Sequence, residues 1–172
     1  MSVEHLNPQS LPKPPSGMYS HLVRVKAGEL LFIAGQVARD SEGKLIGEGD
    51  AVAQYRQVWA NIGRALAAVG LRHEHLVKTT TYVVGEANIP AIRAVRQELA
   101  PPLPPTSTMI VVSALGISGT LVEVESIAAF PVGVRKKTAA KRRSAVTKKF
   151  SKKSSKKTIA RKPAASTRTR RR

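Results

Sequence analysis

The 172-residue sequence predicts an α+β domain: a mixed sheet with two helices on one face, in the order β-β-α-β-α-β-β, followed by a basic tail. Three observations carry this prediction. Val52, Tyr55, Trp59, Ile62, Leu66 and Val69 recur at alternating spacings of three and four, which is one apolar stripe along a helix. Runs rich in β-branched residues flank that helix and a shorter second one. Charge is segregated: residues 1–134 hold 11 Lys and Arg against 11 Asp and Glu, whereas residues 135–172 hold 18 Lys and Arg and no acid.

In chain order, "YSHLVRV" (19–25) and "ELLFIAG" (29–35) read as two strands joined by a turn at Lys26, Ala27 and Gly28. "DSEGKLIGEGD" (40–50) is a polar, Gly-rich loop whose last residue, Asp50, has the side chain of an N-cap. The long helix then runs to Gly70, which stands where a C′ glycine closes a helix. "HLVKTTTYVV" (75–84) reads as a strand, and Gly85, Glu86 and Ala87 turn the chain. Asn88 is expected to cap a second helix with Ile92, Val95 and Leu99 on its inner face. The prolines at 101, 102, 104 and 105 stop that helix and force an extended path. "TSTMIVVSAL" (106–115) and "TLVEVESIAAF" (120–130) form the last two strands, turned by "GISG".

The domain limits follow from composition. Residues 1–17 are expected to be an irregular N-terminal segment, and 18–133 the folded body. Residues 134–172 carry only Val146, Phe150 and Ile159 as large apolar side chains beyond Val134, too few to offset chain entropy, so a disordered Lys/Arg-rich tail is expected. There is no cysteine, which excludes disulfides, thiolate metal sites and a Cys nucleophile. No apolar run reaches membrane-span length, and "MSVEHLNPQSLPKPPSG" lacks the basic start and apolar core of a signal peptide. A cytoplasmic setting is the expectation.

The last strand is the most informative for chemistry. Alternation places Val122, Val124, Ser126 and Ala128 on one side and Leu121, Glu123, Glu125 and Ile127 on the other. The two carboxylates either lie on a solvated sheet face or line a cleft in which one of them positions water or moves a proton. Other signatures are weak. His73 and His75, at a helix-to-strand connection, read as solvated rather than as metal ligands, and no metal or cofactor is expected. No Gly-rich phosphate loop precedes a helix, and Ser41 and Ser113 lack a nucleophile-elbow context. Gly35 suits a bulge or a close approach to the backbone.

Four stretches together resemble one family. "GMYSHLVRVKAGELLFIAGQVARDSEGKL", "AQYRQVWANIGRALAAVGLRHEHLVKTTTYV", "PPTSTMIVVSAL" and "LVEVESIAAF" are similar, in order, to the Rid family, also called YjgF-like or reactive intermediate deaminases. The resemblance implies a chorismate-mutase-like fold and a homotrimeric barrel with sheets inside, helices outside and ligand clefts between subunits. It also implies an uncofactored hydrolase acting on C–N bonds, such as a 2-iminobutanoate/2-iminopropanoate deaminase. Residue by residue, Tyr19 matches the Tyr that lines the family cleft. Gly35 and Gln36 match its Gly-Gln pair, with Ala34 where a Ser is common. Glu123 matches the acid that positions the attacking water.

One position departs from the pattern. Active deaminases carry an Arg in a Pro-Ala-Arg-Ser phrase; in this chain the phrase is Pro104-Pro105-Thr106-Ser107. The Arg would grip a substrate carboxylate through two charge-assisted bonds. Thr106 and Ser107 are substrate-binding candidates that offer neutral hydrogen bonds instead. Activity on the usual imino acids is therefore expected to be weak, and an imine, enamine or carbonyl ligand without that carboxylate stays open. Arg93 lies on the second helix, and the sequence sets no distance between it and the cleft.

The tail resembles the low-complexity tails of histone H1-like bacterial proteins. Arg135, Lys136, Lys137, Lys141, Arg142, Arg143, Lys148, Lys149, Lys152 and Lys153 begin its basic clusters and are candidate contacts to DNA or RNA. Such a density of cations suits salt-sensitive, sequence-independent binding and association with the nucleoid. Two classes of function follow: a trimeric enzyme or binder for a small reactive imine or carbonyl compound, or a non-catalytic trimeric scaffold whose tail binds nucleic acid.

Overall fold

The computed structural model describes residues 3–15, 18–26 and 28–131; the tail and its candidate contacts lie outside the described residues. Eight elements are ordered β1 (Val3–Leu6), β2 (Leu22–Val25), β3 (Leu30–Val37), α1 (Ala51–Ala68), β4 (Leu76–Val84), α2 (Ile89–Leu99), β5 (Thr106–Val112) and β6 (Val122–Ala129). The last four strands form one mixed sheet in the order β3-β6-β4-β5. β6 is antiparallel to both its neighbours, and β4 is parallel to β5. A parallel pair needs a crossover, and α2 supplies it.

The start of the chain differs from expectation. Val3–Leu6 is a strand, where an irregular segment is expected, and it pairs antiparallel with β2 from Val3↔Val25 to Leu6↔Leu22. Four residues are too few to show alternation in a sequence. The Glu4–Arg24 ion pair, which spans a register pair of this ladder, adds a cross-strand contact. β2 therefore pairs with β1 and not with the strand that follows it. It is also shorter than the expected 19–25, because Ser20 turns away to bond the proline bend through its backbone N–H to Pro105 O (3.1 Å) and its hydroxyl to Pro104 O (2.7 Å).

α1 forms as its stripe requires. Asp50 accepts bonds from the backbone N–H groups of Val52 and Ala53, and Gly70 closes the helix at φ 83°. Tyr55, Val58, Trp59, Ile62 and Leu66 are buried against the inner side of the sheet, with Val122, Val124 and Ala128 of β6 beneath them. Burial pushes the Tyr55 hydroxyl up to about 12. Asn88 holds the N-cap position of α2, but its amide turns back to Val84 O (2.8 Å), so its side chain makes no cap bond.

His73 departs from its expected solvated state. Its ring stacks on Trp59 at 4.7 Å and its Nε2 lies 3.0 Å from Trp59 O. Gly63 makes room for it: a Cβ there would stand 2.8 Å from the imidazole Cε1.

One buried amide joins three segments. Gln54, with no exposed surface, donates to Gly47 O (3.0 Å) and Gly119 O (2.9 Å) and accepts from Leu121 N–H (2.7 Å). It fastens α1 to the loop before it and to the β5–β6 turn. Gln54→Ala would leave those backbone groups without a partner in the interior. It is expected to lower unfolding free energy by about 2–4 kcal/mol, read from urea melts at matched protein concentration.

Candidate functional site

β6 positions the candidate acids. Its inner side chains, Val122, Val124, Ser126 and Ala128, are buried, while Glu125 is exposed and Glu123 and Ile127 are half-buried on the other face. That outer face is the open face of the sheet. It also carries Leu30 and Phe32 from β3, Lys78, Thr80 and Tyr82 from β4, and Thr108 and Ile110 from β5. Phe32 is 73% exposed, Leu30 44% and Ile110 39%, a heavy apolar content for a face that also bears carboxylates. The Tyr82 hydroxyl donates to Glu125 Oε1 at 3.4 Å. Desolvation first, and Glu125 next, hold its pKa above the ordinary tyrosine value.

Glu123 lies against Gly35. A Cβ built on Gly35 would stand 1.8 Å from Glu123 Oε1 and 2.8 Å from its Cδ. The β3–β6 register shifts between Ile33 and Gln36, which is the bulge that Gly35 suits. The group that approaches the Gly35 backbone is thus a carboxylate of the same chain. Gln36 donates through Nε2 to Ala34 O at 3.1 Å, and Gly35 and Gln36 line a 760 Å³ cavity with Arg39, Asn61 and Arg64.

Tyr19 and Ser107 meet elsewhere. They line a 700 Å³ cavity between α2 and β5, together with Met18, Arg93, Arg96 and Met109. The segment holding Tyr19 is fixed on both sides. Ser20 is tied to the proline bend as described, and the buried Arg96 guanidinium donates to Met18 O from α2. Burial presses Arg96 below its ordinary pKa, but a guanidinium keeps its charge under any physiological condition.

Thr106 sits at the mouth of β5, opposite Lys78 in the parallel register. Its hydroxyl donates to Val77 O at 2.9 Å, so its proton is committed to the backbone and only lone pairs remain for a ligand. Ser107 accepts from the Thr79 hydroxyl at 3.0 Å and keeps its own proton free to donate. Sequence reasoning treats the two hydroxyls alike; alternation sends them to opposite sides of β5 and gives them different roles.

The expected residues therefore form two groups. Gly35, Gln36 and Glu123 lie at the β3 edge, whereas Tyr19, Thr106 and Ser107 lie at the β5 edge. Strand spacing and rise set the β6-to-β5 offset between Glu123 and Thr106 at roughly 16 Å. Within one copy of the chain the six residues do not surround a single small-molecule cleft.

Residues 10–130 match the family model described as Endoribonuclease L-PSP. Protein DfrA of Myxococcus xanthus is 34% identical over 65% of this chain and 85% of its own length. A RutC family protein of Pyrococcus horikoshii, PH0854, is 35% identical over 70% of this chain and 92% of its own. Among solved structures, a protein of unknown function of the conserved Rid family from Yersinia pestis, YyfB, superposes with a TM-score of 0.69 and 35% identity. That match covers 76% of this chain and all of the other. The α+β mixed sheet with two helices matches these neighbours.

Gly35→Ala is expected to force the Glu123 carboxyl off the Gly35 backbone while leaving the fold intact. The displacement would be read from a crystal structure of the variant. A carboxyl found in its original position would contradict the close approach of Glu123 to Gly35.

Proposed function

Because the chain belongs to the endoribonuclease L-PSP family, also known as YjgF, Rid or RutC, we propose that it is a homotrimer binding a small reactive imine, enamine or carbonyl compound between subunits. The observation that carries this reading is the division of the candidate residues between opposite edges of one sheet. A head-to-tail contact that sets the β3 edge of one copy beside the β5 edge of the next would bring the two groups together. Repeated around a three-fold axis, such a contact closes into a ring. The same arrangement would cover Phe32 and Leu30 on the open face.

In this cleft Glu123 serves as the group that orients water. Its carboxylate accepts a hydrogen bond from the water, whose oxygen adds to the imine carbon while the nitrogen takes up a proton. The C–N bond of the resulting carbinolamine then breaks. Ammonia leaves and a carbonyl compound remains, so imine plus water balances carbonyl plus ammonia. Tyr19 and the Gly35-Gln36 backbone shape the cleft, and Ser107 donates a hydrogen bond to the ligand. Thr106 supplies no cation where the deaminases use Arg. Hydrolysis of 2-iminobutanoate and 2-iminopropanoate should therefore run about ten- to a hundredfold below that of an Arg-bearing relative.

The test uses an amino acid oxidase to release the imine in the presence of semicarbazide, with added protein competing for it. Slow but measurable suppression of semicarbazone formation is expected, falling to background for Glu123→Gln in a sample shown by light scattering to be trimeric. Equal suppression by wild type and Glu123→Gln would remove Glu123 from the mechanism. A monomer would remove the shared cleft.

The tail adds a second reading, favoured by its charge alone. Eighteen Lys and Arg without an acid, behind a body of balanced charge, suit binding of DNA or RNA by counterion release. Three tails on one trimer would reinforce one another. Gel-shift affinity for duplex DNA is expected to fall steeply with salt and to vanish on deletion of 135–172. Binding that survives the deletion would place the contact on the body.

A further inference from the structure

We infer that the cavity between α2 and β5 is an anion subsite, in which Arg93 holds the carboxylate end of a small carbonyl or imine ligand. The inference rests on the proposed ligand cleft and deepens it by naming the group that gives the ligand its charge complement. Arg93 and Arg96 line one 700 Å³ cavity with Tyr19 and Ser107, and no acidic residue among the described residues lines it with them. Of the other described arginines, Arg24 is paired with Glu4, Arg56 with Glu98 and Arg72 with Glu74, while Arg39 and Arg64, which also lack an ion pair among the described residues, line a cavity that Asp40 shares. Arg93 has no ion-pair or hydrogen-bond partner among the described residues, and it is exposed on α2.

The two guanidiniums do different work. Arg96 is buried and spends a donor on Met18 O, which holds the segment bearing Tyr19. Arg93 stands one turn before it, three residues away on the same helix face. Two like charges so close raise the local potential, and Arg93 adds to the effects that lower the Arg96 pKa. A carboxylate entering the cavity would relieve that repulsion, take a forked contact from Arg93 and accept from the Ser107 hydroxyl. The anchor would act from the helix side of β5. Position 106 lies on the other side of that strand, so the ligand's charged end would approach by a different path from the one an Arg at 106 would impose.

Lys78 is the competing cation. Its ammonium donates to the Thr108 hydroxyl at 2.7 Å on the open face and lines a separate cavity with Phe32 and Glu125. It has no share in the Tyr19–Ser107 cavity.

The experiment is calorimetric titration of the full chain with 2-oxobutanoate and with uncharged 2-butanone, at fixed ionic strength. The tail's charge is common to every variant, so differences between variants report the body. Wild type is expected to bind the carboxylate at least about tenfold more tightly than the ketone. Arg93→Ala should erase that difference, Arg93→Lys should keep part of it, and Lys78→Met should leave it unchanged. Equal affinity of wild type for the two probes overturns the subsite, as does an undiminished preference in Arg93→Ala or its loss in Lys78→Met. Thermal melts of each variant check that the fold persists. The catalytic reading stands or falls separately: Glu123→Gln should keep the Arg93-dependent preference while losing hydrolysis. Preference without hydrolysis in wild type would reject the reaction and leave the anion subsite in place.

Discussion

The strict two-sidedness of β6 is the constraint on which the rest of the molecule depends. It is flanked by β3 on one side and β4 on the other, and it pairs antiparallel with both. Val122, Val124 and Ala128 face α1, where burial of apolar surface stabilises the sheet-on-helix layer. A slip of one residue would drive Glu123 and Glu125 into that layer without partners, at a cost no local change could offset. The register that protects the core is therefore the same register that sets two carboxylates on the open face.

The rim of the sheet is held by polar bonds rather than by packing. Gln54 fixes the loop before α1 and the turn before β6 with one side chain. At the opposite end, Ser20 and Arg96 hold the Tyr19 segment against the proline bend. His5 joins the same knot, its Nδ1 lying 3.0 Å from Pro104 O and 3.1 Å from the Ser20 hydroxyl. These bonds are short-range, directional and buried or half-buried, so they set side-chain positions more sharply than apolar contacts do. Tyr19 thereby reaches the same cavity as Ser107 although 88 residues separate them in the chain.

The two groups of candidate residues are built for different tasks. At the β3 edge, a glycine clears space for the Glu123 carboxylate, which carries negative charge. At the β5 edge, two arginines carry positive charge with no acid lining their cavity among the described residues. A ligand bridging two copies would thus meet an acid on one side and a cation on the other. Opposed charges across a cleft orient a polar molecule and favour one of its two ends over the other.

The sequence by itself determined the elements and their faces. The stripe from Val52 to Val69, the cap at Asp50, the stop at Gly70 and the alternation along β6 are local patterns, set by the helical and strand periods of a single segment. The family phrases, too, were legible as runs of neighbouring residues, and with them the overall fold. What only tertiary structure decided were the contacts between distant segments. The pairing of Val3–Leu6 with β2, the stacking of His73 on Trp59, the loss of the Thr106 proton to Val77 O and the joining of Arg93 to the Tyr19 cavity leave no periodic signal. The reason is physical: each depends on which side chain happens to stand opposite once the core has closed, and no residue's own neighbours in the chain encode that.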